Sequence, residues 1–452
     1  MTPHPLAPSP IPPSTLPGRG GIGKVVAACA FALAATLPAH AETIVITNAE
    51  IHTMGSQGTI KNGTLVIENG KIRAVGAAVP LPASSSRHID AHGKPVTPGL
   101  IDSNSQIGLV EVSAVDGTED AHSQDDQITA SFNVADAFNP RSILIPVNRV
   151  EGLTRIVASP GPGKTAISGQ GAVIDLAGPG EGSHPNDYIV RSPAAMFAVL
   201  GETGAGLVGG ARQDALLLLR EAFQDTLDYT ANHKNFEQGN RRAYALSRLD
   251  LEALVPVVKG ELPLVIAVDR ASDIETALRL AKDFHLKLIL ASAAEGWKVA
   301  RQIADAKVPV LLRATNNLPQ SFESLGATLE NPARLYKAGV TIAFMSGDAH
   351  NSRNIRQDAG NAVAYGLPWD AALAAMTSVP AHIWGIADHY GTLEPGQDAD
   401  VVIWDGDPLE VTSFPTAVFI RGKAIPMTNR QLELRDRYKD LKGPVPPVSR
   451  KP

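Results

Sequence analysis

The organisation of the chain is decided by residues 95–106, which read PVTPGLIDSNSQ. Apolar Leu100 and Ile101 follow a Pro-Gly pair and lead into alternating polar residues that end at Gln106. We interpret this stretch as the end of a small β-domain followed at once by the first strand of a barrel. The polar positions of that first strand are then candidates for the functional site, because a barrel carries its chemistry at the C-terminal ends of its strands.

The composition is that of an ordinary globular chain. The 452 residues are 44% hydrophobic and 19% charged, which suffices for one large core and a smaller domain. The formal charge of -6 comes from 46 acidic and 40 basic residues, and no lysine and arginine cluster of the kind that follows a phosphate backbone is present in the sequence. We therefore expect a small-molecule substrate or ligand and no nucleic acid, with homo-oligomerisation left open.

Residues 1–41 read as a signal peptide. Arg19 and Lys24 precede a mostly apolar run, and an Ala-His-Ala sequence that ends at Ala41 supplies the small residues that a signal peptidase accepts. The run is too short to span a bilayer comfortably, although an uncleaved anchor is the alternative. We expect cleavage between Ala41 and Glu42, a periplasmic or secreted protein, and no stable membrane span after processing.

The single cysteine of the chain, Cys29, lies inside the apolar run of this segment. A mature chain that begins at Glu42 would therefore contain no cysteine. Disulfides, thiolate metal ligands and cysteine nucleophiles are together excluded from the mature protein. Any metal or catalytic site has to be built from other side chains.

Two β-rich blocks at opposite ends of the chain are predicted to form one domain. The first block covers 42–96, and its Asn69-Gly70 pair is typical of a type I′ hairpin, whose two central residues need positive φ. The second block covers 389–428. Neither block has enough strands to bury a face alone, so we predict a composite β-sandwich-like domain made from both. Residues 429–452 remain as a C-terminal tail.

The segment between these blocks, 97–388, alternates short apolar runs with helical stretches. Candidate strands lie at 154–158, 264–268, 286–290, 308–312 and 340–344, and candidate helices at 271–284 and 297–306. Such alternation is typical of an α/β fold with parallel strands, and we predict a (β/α)8 TIM barrel.

From residue 43 to residue 425 the chain resembles the amidohydrolase superfamily, in particular its imidazolonepropionase-like and related periplasmic members. The resemblance is carried by PGLID at 98–102, AGV at 338–340, TSVPA at 377–381 and GTLEPGQDADVVIWDGDP at 391–408. It implies a metal-dependent hydrolase fold and hydrolysis of carbon–nitrogen bonds other than peptide bonds, for example in cyclic amides. In such enzymes a divalent ion lowers the pKa of bound water and an aspartate takes up its proton.

The positions at which the resemblance implies metal ligands hold no histidine. Asn104 and Gln106 stand where the first strand would carry two histidines, and Asp175 stands where related sequences often carry a lysine. Asp269 and Ser292 fall in the regions of the histidines of strands five and six. A tight nitrogen-ligated zinc site is therefore hard to build.

One ligand type is retained, as Asp348 in the sequence FMSGD, and the resemblance assigns it the catalytic proton transfer. The predicted metal ligands are Asp175, Asp269, Asp348, Asn104 and Gln106. Their oxygen atoms suit Mg²⁺, Mn²⁺ or Ca²⁺ better than zinc. Two other interpretations stay open: a catalytically inactive binding protein, and hydrolysis without any metal that uses Asp348 with His350 or His122.

Four residues are candidates for substrate binding. His122 lies in an acidic polar loop of the length that often overhangs a barrel mouth. His350 and Arg353 follow Asp348 closely and could orient an anionic group through charge-assisted hydrogen bonds. Ser292 completes the set. The alternative for these loops is ordinary solvation.

We further predict that the three aspartates converge at the barrel mouth. Carboxylates brought close together repel one another, and relief comes from a bound cation or from a retained proton. A phosphate-binding role for the sequence ASPGPGKT at 158–165 is disfavoured, because no helical pattern follows it. We interpret that stretch as a glycine-rich loop that approaches the site.

Overall fold

The structure is a computed structural model, and it describes residues 43–82, 87–178, 186–316 and 318–439. The predicted signal peptide and its cleavage site lie outside the described residues. Within these ranges no helix has both the length and the apolar character that crossing a bilayer requires.

The strands of the described residues number sixteen. They are β1 (Thr43–His52), β2 (Thr59–Glu68), β3 (Lys71–Gly76), β4 (Arg87–Asp90), β5 (Pro95–Pro98), β6 (Leu100–Ser105), β7 (Leu153–Ala158), β8 (Ile167–Asp175), β9 (Ile189–Val199), β10 (Leu264–Val268), β11 (Leu288–Ser292), β12 (Val310–Leu312), β13 (Ile342–Phe344), β14 (Val401–Trp404), β15 (Pro415–Ile420) and β16 (Lys423–Ala424).

The α-helices of the same residues lie between β6 and β14 in the chain, except for the last, which follows β16. They are α1 (Leu144–Arg149), α2 (Gly201–Val208), α3 (Arg212–Glu237), α4 (Arg248–Val258), α5 (Ala271–Phe284), α6 (Ala300–Asp305), α7 (Asn331–Lys337), α8 (Ile355–Ala364), α9 (Trp369–Ala374), α10 (Ser378–Ile383) and α11 (Arg430–Tyr438). The predicted tail thus contains a helix, α11, which begins after Asn429, whose side chain accepts a hydrogen bond from Leu432 N at 2.9 Å.

Strands from both ends of the chain form one sheet. Its order is β16-β15-β14-β5-β1-β2-β3, with β4 paired to β1. The two ends meet where β5 pairs antiparallel with β14, with Val96 opposite Ile403. The predicted hairpin joins β2 and β3, with positive φ at both Asn69 and Gly70. The composite β-domain is therefore confirmed, although its strands join in one continuous sheet rather than in two layers.

The sheet of the β-domain buries one apolar face. Ile44 and Ile46 of β1 and Leu65 and Ile67 of β2 are each at most 1% exposed and pack in one cluster. They alternate with residues on the other face because successive side chains of a strand point to opposite sides. The cluster gives this domain a core of its own beside the barrel.

The second sheet closes into the barrel that the sequence predicts. Its order is β13-β12-β11-β10-β9-β8-β7-β6. Backbone hydrogen bonds close the ring between β6 and the segment that follows β13, from Gly347 N to Asn104 O at 2.9 Å and from Gln106 N to Asp348 O at 3.1 Å. The α/β barrel fold is confirmed.

One strand of the barrel departs from the expected all-parallel arrangement. β8 pairs antiparallel with both β7 and β9, whereas the other neighbouring pairs are parallel. The reason is the short link from Ala158 to Ile167, since a parallel crossover needs about a dozen residues and usually a helix. The chain turns back instead, so the N-terminal end of β8 lies beside the C-terminal ends of β7 and β9.

The barrel interior is packed rather than open. Val157, Val265, Ile289 and Leu311 come from four strands and form one buried cluster. A second cluster fills the space between the outer face of the strands and the helices. The barrel is thus a solid core, and the C-terminal ends of its parallel strands are left to carry function.

Candidate active site

The first wall of the barrel mouth is built at the end of β6. Asn104 Oδ1 accepts a hydrogen bond from Ser159 Oγ at 2.5 Å. The backbone N–H of Gln106 donates to the carbonyl oxygen of Asp348, which lies after β13. The structure thus brings Asn104, Gln106 and Asp348 onto adjoining segments. Their roles as ligands or catalyst stay predictions.

Asp102 lies beneath this wall and was not singled out from the sequence. It is 0% exposed, and its carboxylate accepts hydrogen bonds from Ser346 N at 3.0 Å, Ser346 Oγ at 2.5 Å and Asn104 N at 3.1 Å. Burial raises the pKa of Asp102 to about 7, although these hydrogen bonds oppose the shift. Its bonds join β6 to the segment after β13, so the aspartate of the PGLID sequence holds the barrel closed.

The Asp348 carboxylate orders its own loop. Oδ1 accepts hydrogen bonds from His350 N at 2.8 Å and Asn351 N at 3.2 Å, and Oδ2 accepts one from Asn351 Nδ2 at 3.3 Å. Partial burial raises the pKa of Asp348, but the hydrogen bonds from Asn351 and His350 outweigh burial and leave the pKa below its ordinary value. The carboxylate therefore stays ionised and is a weaker base than an ordinary aspartate.

The second wall stands across the mouth. β10 lies four positions from β6 in the eight-stranded sheet, which places the two strands on opposite sides of the barrel. At the end of β10, Asp269 Oδ1 accepts hydrogen bonds from Ser292 Oγ at 2.5 Å and from Ala294 N at 2.9 Å. The turn after β11 is tight, with φ of 71° at Ser292 and 47° at Ala293. This left-handed backbone fixes the serine against the aspartate.

Glu323 extends the second wall and carries no local sequence signal. It lies in a loop after β12 and is only 6% exposed. Glu323 Oε2 accepts a hydrogen bond from Glu202 N at 2.6 Å and lies 3.6 Å from Arg212 Nη2. Burial raises the pKa of Glu323; the Glu202 N–H lowers it and the Asp269 charge raises it. The side chain rests on Gly201, where an added Cβ would lie 2.3 Å from Oε2.

The position of Asp175 contradicts the predicted convergence of three aspartates at the barrel mouth. It ends β8, and because β8 is antiparallel this end lies away from the mouth. Asp175 Oδ2 is 3.0 Å from Arg421 Nε and 3.6 Å from Arg155 Nη1. The prediction that Asp175 binds a metal with Asp269 and Asp348 is therefore wrong, since arginines at the far end of the barrel neutralise its charge.

The donor set does not fit the divalent ion that the fold implies. The predicted ligands occupy three places: Asn104, Gln106 and Asp348 on one wall, Asp269 on the other, and Asp175 at the far end. Among the residues that the structure describes, no group of three or more histidine, cysteine, aspartate or glutamate side chains could hold a metal ion. Hydrogen-bonded pairs, Ser159–Asn104 and Ser292–Asp269, stand at the predicted ligand positions instead.

Two loops cover the first wall. Gly161 lies between Gln106 and His122, because a Cβ built on it would be 3.0 Å from Gln106 Nε2 and 4.0 Å from His122 Nδ1. His122 Nε2 is also 2.7 Å from Gln124 Nε2. The glycine-rich loop runs directly into β8 and not into a helix. His122 thus reaches the mouth, where substrate binding by its imidazole stays a prediction.

The loop after Asp348 contains the two remaining candidates for substrate binding, His350 and Arg353, and they have different surroundings. His350 is partly buried and adjoins the Asp348 carboxylate through its backbone. Arg353 is held elsewhere: its N–H donates to Asn148 Oδ1 at 2.8 Å, and its Nη1 lies 3.5 Å from Gln431 Oε1 in α11. The predicted substrate role of Arg353 is therefore not supported, since its guanidinium contacts the C-terminal helix.

An α/β barrel joined to a β-domain made from both chain ends is the architecture that the resemblance to amidohydrolases implies. The chain is similar to amidohydrolases and, among them, to imidazolonepropionases. The Amidohydrolase family pattern matches residues 270–427.

Individual relatives agree with this assignment. The chain is 24% identical to the imidazolonepropionase of Brucella anthropi, over 80% of this chain and 92% of that protein. It is 25% identical to the amidohydrolase tasK of Hapsidospora irregularis over 80% of its own length, but spans only 40% of that longer protein. The crystal structure of an amidohydrolase from Thermotoga maritima superposes with a TM-score of 0.76 at 28% identity, covering 86% of this chain and 100% of that one.

Proposed function

We propose that the protein hydrolyses a carbon–nitrogen bond other than a peptide bond in a small molecule, such as a cyclic amide, bound at the barrel mouth. The observation that carries the proposal is the placement of Asp348 and Asp269 on opposite walls of the mouth, at the ends of parallel strands. Catalytic groups of such barrels lie at these strand ends. The imidazolonepropionase and amidohydrolase relatives support the same reaction class.

In the proposed reaction, Asp348 accepts a proton from water as the water oxygen attacks the carbonyl carbon. The tetrahedral intermediate collapses, the carbon–nitrogen bond breaks, and Asp348 returns the proton to the leaving nitrogen. A carboxylic acid and an amine result. His122 and Ser292 are proposed to orient the substrate from the two sides, with His350 beside the Asp348 loop.

The cofactor prediction offers either an oxygen-ligated Mg²⁺, Mn²⁺ or Ca²⁺ or no ion. The separation of the donors favours the absence of a tightly held ion, because the three predicted carboxylate ligands stand in three different places and only Asp348 adjoins the two amides. No step of the proposed reaction is therefore assigned to a metal.

The second candidate function is ligand binding without turnover. It is favoured by the hydrogen-bonded pairs at the predicted ligand positions and by the lowered pKa of Asp348, which weakens that carboxylate as a base. In this case the barrel would hold a small molecule at the mouth and release it unchanged.

A single experiment separates the two functions. Protein purified without chelator is assayed for metal content and then tested against cyclic amides, dipeptides and lactones, with and without Mn²⁺, by mass spectrometry of the products. Hydrolysis of an amide that Asp348→Asn abolishes supports the hydrolase. Saturable binding of a compound without any product supports the binding protein and overturns the hydrolase.

Export is proposed on the sequence alone. The basic residues, the apolar run and the Ala-His-Ala site before Glu42 support removal of residues 1–41. The mature protein would then be periplasmic or secreted.

A further inference from the structure

The loop that follows β6 is strongly acidic. Residues 106–140 contain seven aspartates and glutamates and no lysine or arginine. Part of this loop lies against the glycine-rich loop beside the first wall: Gly161 N donates to Ala121 O at 2.8 Å, and a Cβ built on Gly163 would be 2.8 Å from Ser123 O. A cavity of about 790 Å³ beside it is lined by Ser123, Gln124, Asp125, Asp126 and Lys164. The approach to the mouth therefore has a negative potential that attracts cations.

The second wall adds negative charge that is only partly neutralised. Glu202, Asp269, Asp273 and Glu323 supply four carboxylates, and Arg212 and Arg270 supply two guanidiniums, which leaves a net charge of -2. Arg212 is held by Asp273 at 3.1 Å and Glu202 at 3.1 Å, and reaches Glu323 only at 3.6 Å. Arg270 pairs with Asp273 at 2.7 Å. Neither arginine forms an ion pair with Asp269 in the described residues.

Two carboxylate oxygens of this wall are left without protein donors. Glu323 is more than nine-tenths buried, and only its Oε2 is hydrogen-bonded; Asp269 uses only Oδ1. Among the described residues, Glu323 Oε1 and Asp269 Oδ2 accept no hydrogen bond, and neither belongs to the unpartnered buried atoms closed off from solvent. Glu323 Oε1 and Asp269 Oδ2 are therefore free to accept hydrogen bonds from a ligand at the mouth.

We propose that Glu323 and Asp269 bind a positively charged group, a primary ammonium or a guanidinium, of the small molecule at the mouth. Both groups carry several N–H donors, so one cation can donate to more than one carboxylate oxygen, and the Asp269 charge is near enough to Glu323 to raise its pKa. The cation also relieves the repulsion between the two carboxylates. The identity of this cation as substrate rests on the proposed hydrolase function, whereas its binding rests on the second wall alone.

The test compares binding of agmatine and putrescine with binding of butanol and butyrate, measured by ligand-observed NMR on the full protein. We expect the two cations to bind and the neutral and anionic compounds not to bind. Glu323→Gln and Asp269→Asn should each weaken binding of the two cations by about tenfold or more, because each variant loses a charge-assisted hydrogen bond while the shape of the side chain is kept. The matched control is Glu330→Gln, an exposed carboxylate paired with Arg334 at 2.5 Å, and it should leave binding unchanged.

The outcomes separate this proposal from the hydrolase function. Equal binding of cations and neutral compounds, or cation binding that survives both variants, overturns the proposal. If the unfolding curves of both variants match that of the wild type, a loss of binding is not caused by a loss of folding. Cation binding that disappears in the variants while no compound is hydrolysed supports the cation site and contradicts the hydrolase function.

Discussion

Arg155 Nη1 lies 3.0 Å from Asp400 Oδ2, and this ion pair joins the barrel to the β-domain with its two side chains 0% and 6% exposed. Asp175 lies on the other side of the same guanidinium at 3.6 Å, and the Tyr390 ring covers it, with its centroid 3.7 Å from Cζ. Burial lowers the pKa of Arg155, but Asp400 and Asp175 outweigh burial and raise it. One charged side chain thus holds carboxylates of two domains.

Removing this guanidinium should cost more stability than any exposed charge. Arg155→Met leaves Asp175 and Asp400 buried near each other without their shared partner, and breaking such a buried pair costs roughly 3–5 kcal/mol. Urea unfolding of the purified variant measures the loss. Arg334→Met is the control, because its pair with Glu330 is exposed and contributes at most about 1 kcal/mol. Equal losses for the two variants would contradict the assigned role.

The pH dependence of stability should report on Asp102. Because its folded pKa is about 7, the native state keeps a proton that the unfolded chain releases at lower pH. The stabilisation that Asp102 contributes to the folded state is complete below the ordinary pKa of an aspartate, and it declines as the pH rises toward about 7. Asp102→Asn imitates the protonated form and should remove part of this decline, by an amount on the order of a few kcal/mol. Unfolding curves between acidic and neutral pH measure it, and an unchanged slope would refute it.

The fold was largely readable from the sequence because its signals are local. Helix α5 was predicted at 271–284, the bounds that the structure has, since its apolar face and its flanking strands are all encoded nearby. The reversed direction of β8 was missed. The eight residues between Ala158 and Ile167 are too few for a crossover helix, and that spacing was the available signal.

The sequence predicted the site correctly only for residues that lie at the ends of parallel strands. Asp269 and Ser292 were predicted near each other and are hydrogen-bonded at 2.5 Å, because neighbouring parallel strands end side by side. Asp175 was misplaced with the direction of β8. Glu323 and Arg212 could not be found, since the first comes from a loop after β12 and the second from the start of α3, and nothing local ties either to the mouth.

Gly201→Ala should test whether the position of the Glu323 carboxylate matters, because this variant moves the carboxylate without removing its charge. The backbone φ of Gly201 is +69°, and an added Cβ would lie 2.3 Å from Glu323 Oε2, so the carboxylate has to shift. We expect a loss of about 1 kcal/mol in unfolding free energy from the left-handed backbone. Binding of agmatine should also weaken. Gly206→Ala in the same helix has open space around it and is the control. Unweakened agmatine binding in Gly201→Ala would show that the Glu323 position does not matter.

Processing of the N-terminus is a direct test of export. Expression of the full chain with its own N-terminus should give a secreted or periplasmic form whose N-terminal sequence begins at or near Glu42. Replacing Ala39 and Ala41 by bulky residues should block cleavage, because the peptidase requires small side chains at these two positions. Recovery of the chain in the cytoplasm with Met1 intact would contradict the proposal.

Asp348→Asn is the sharpest test of the proposed reaction. The asparagine can still accept the His350 N–H at Oδ1, so the loop and the unfolding free energy should change little. It cannot accept a proton from water, and loss of a general base lowers turnover by about 100-fold or more. The measurement is turnover of whichever amide the wild type hydrolyses, across a pH series in which wild-type activity falls as Asp348 becomes protonated. Asp370→Asn, a carboxylate of helix α9 outside the mouth, is the control. Turnover that survives in Asp348→Asn would contradict the role of Asp348 as the general base.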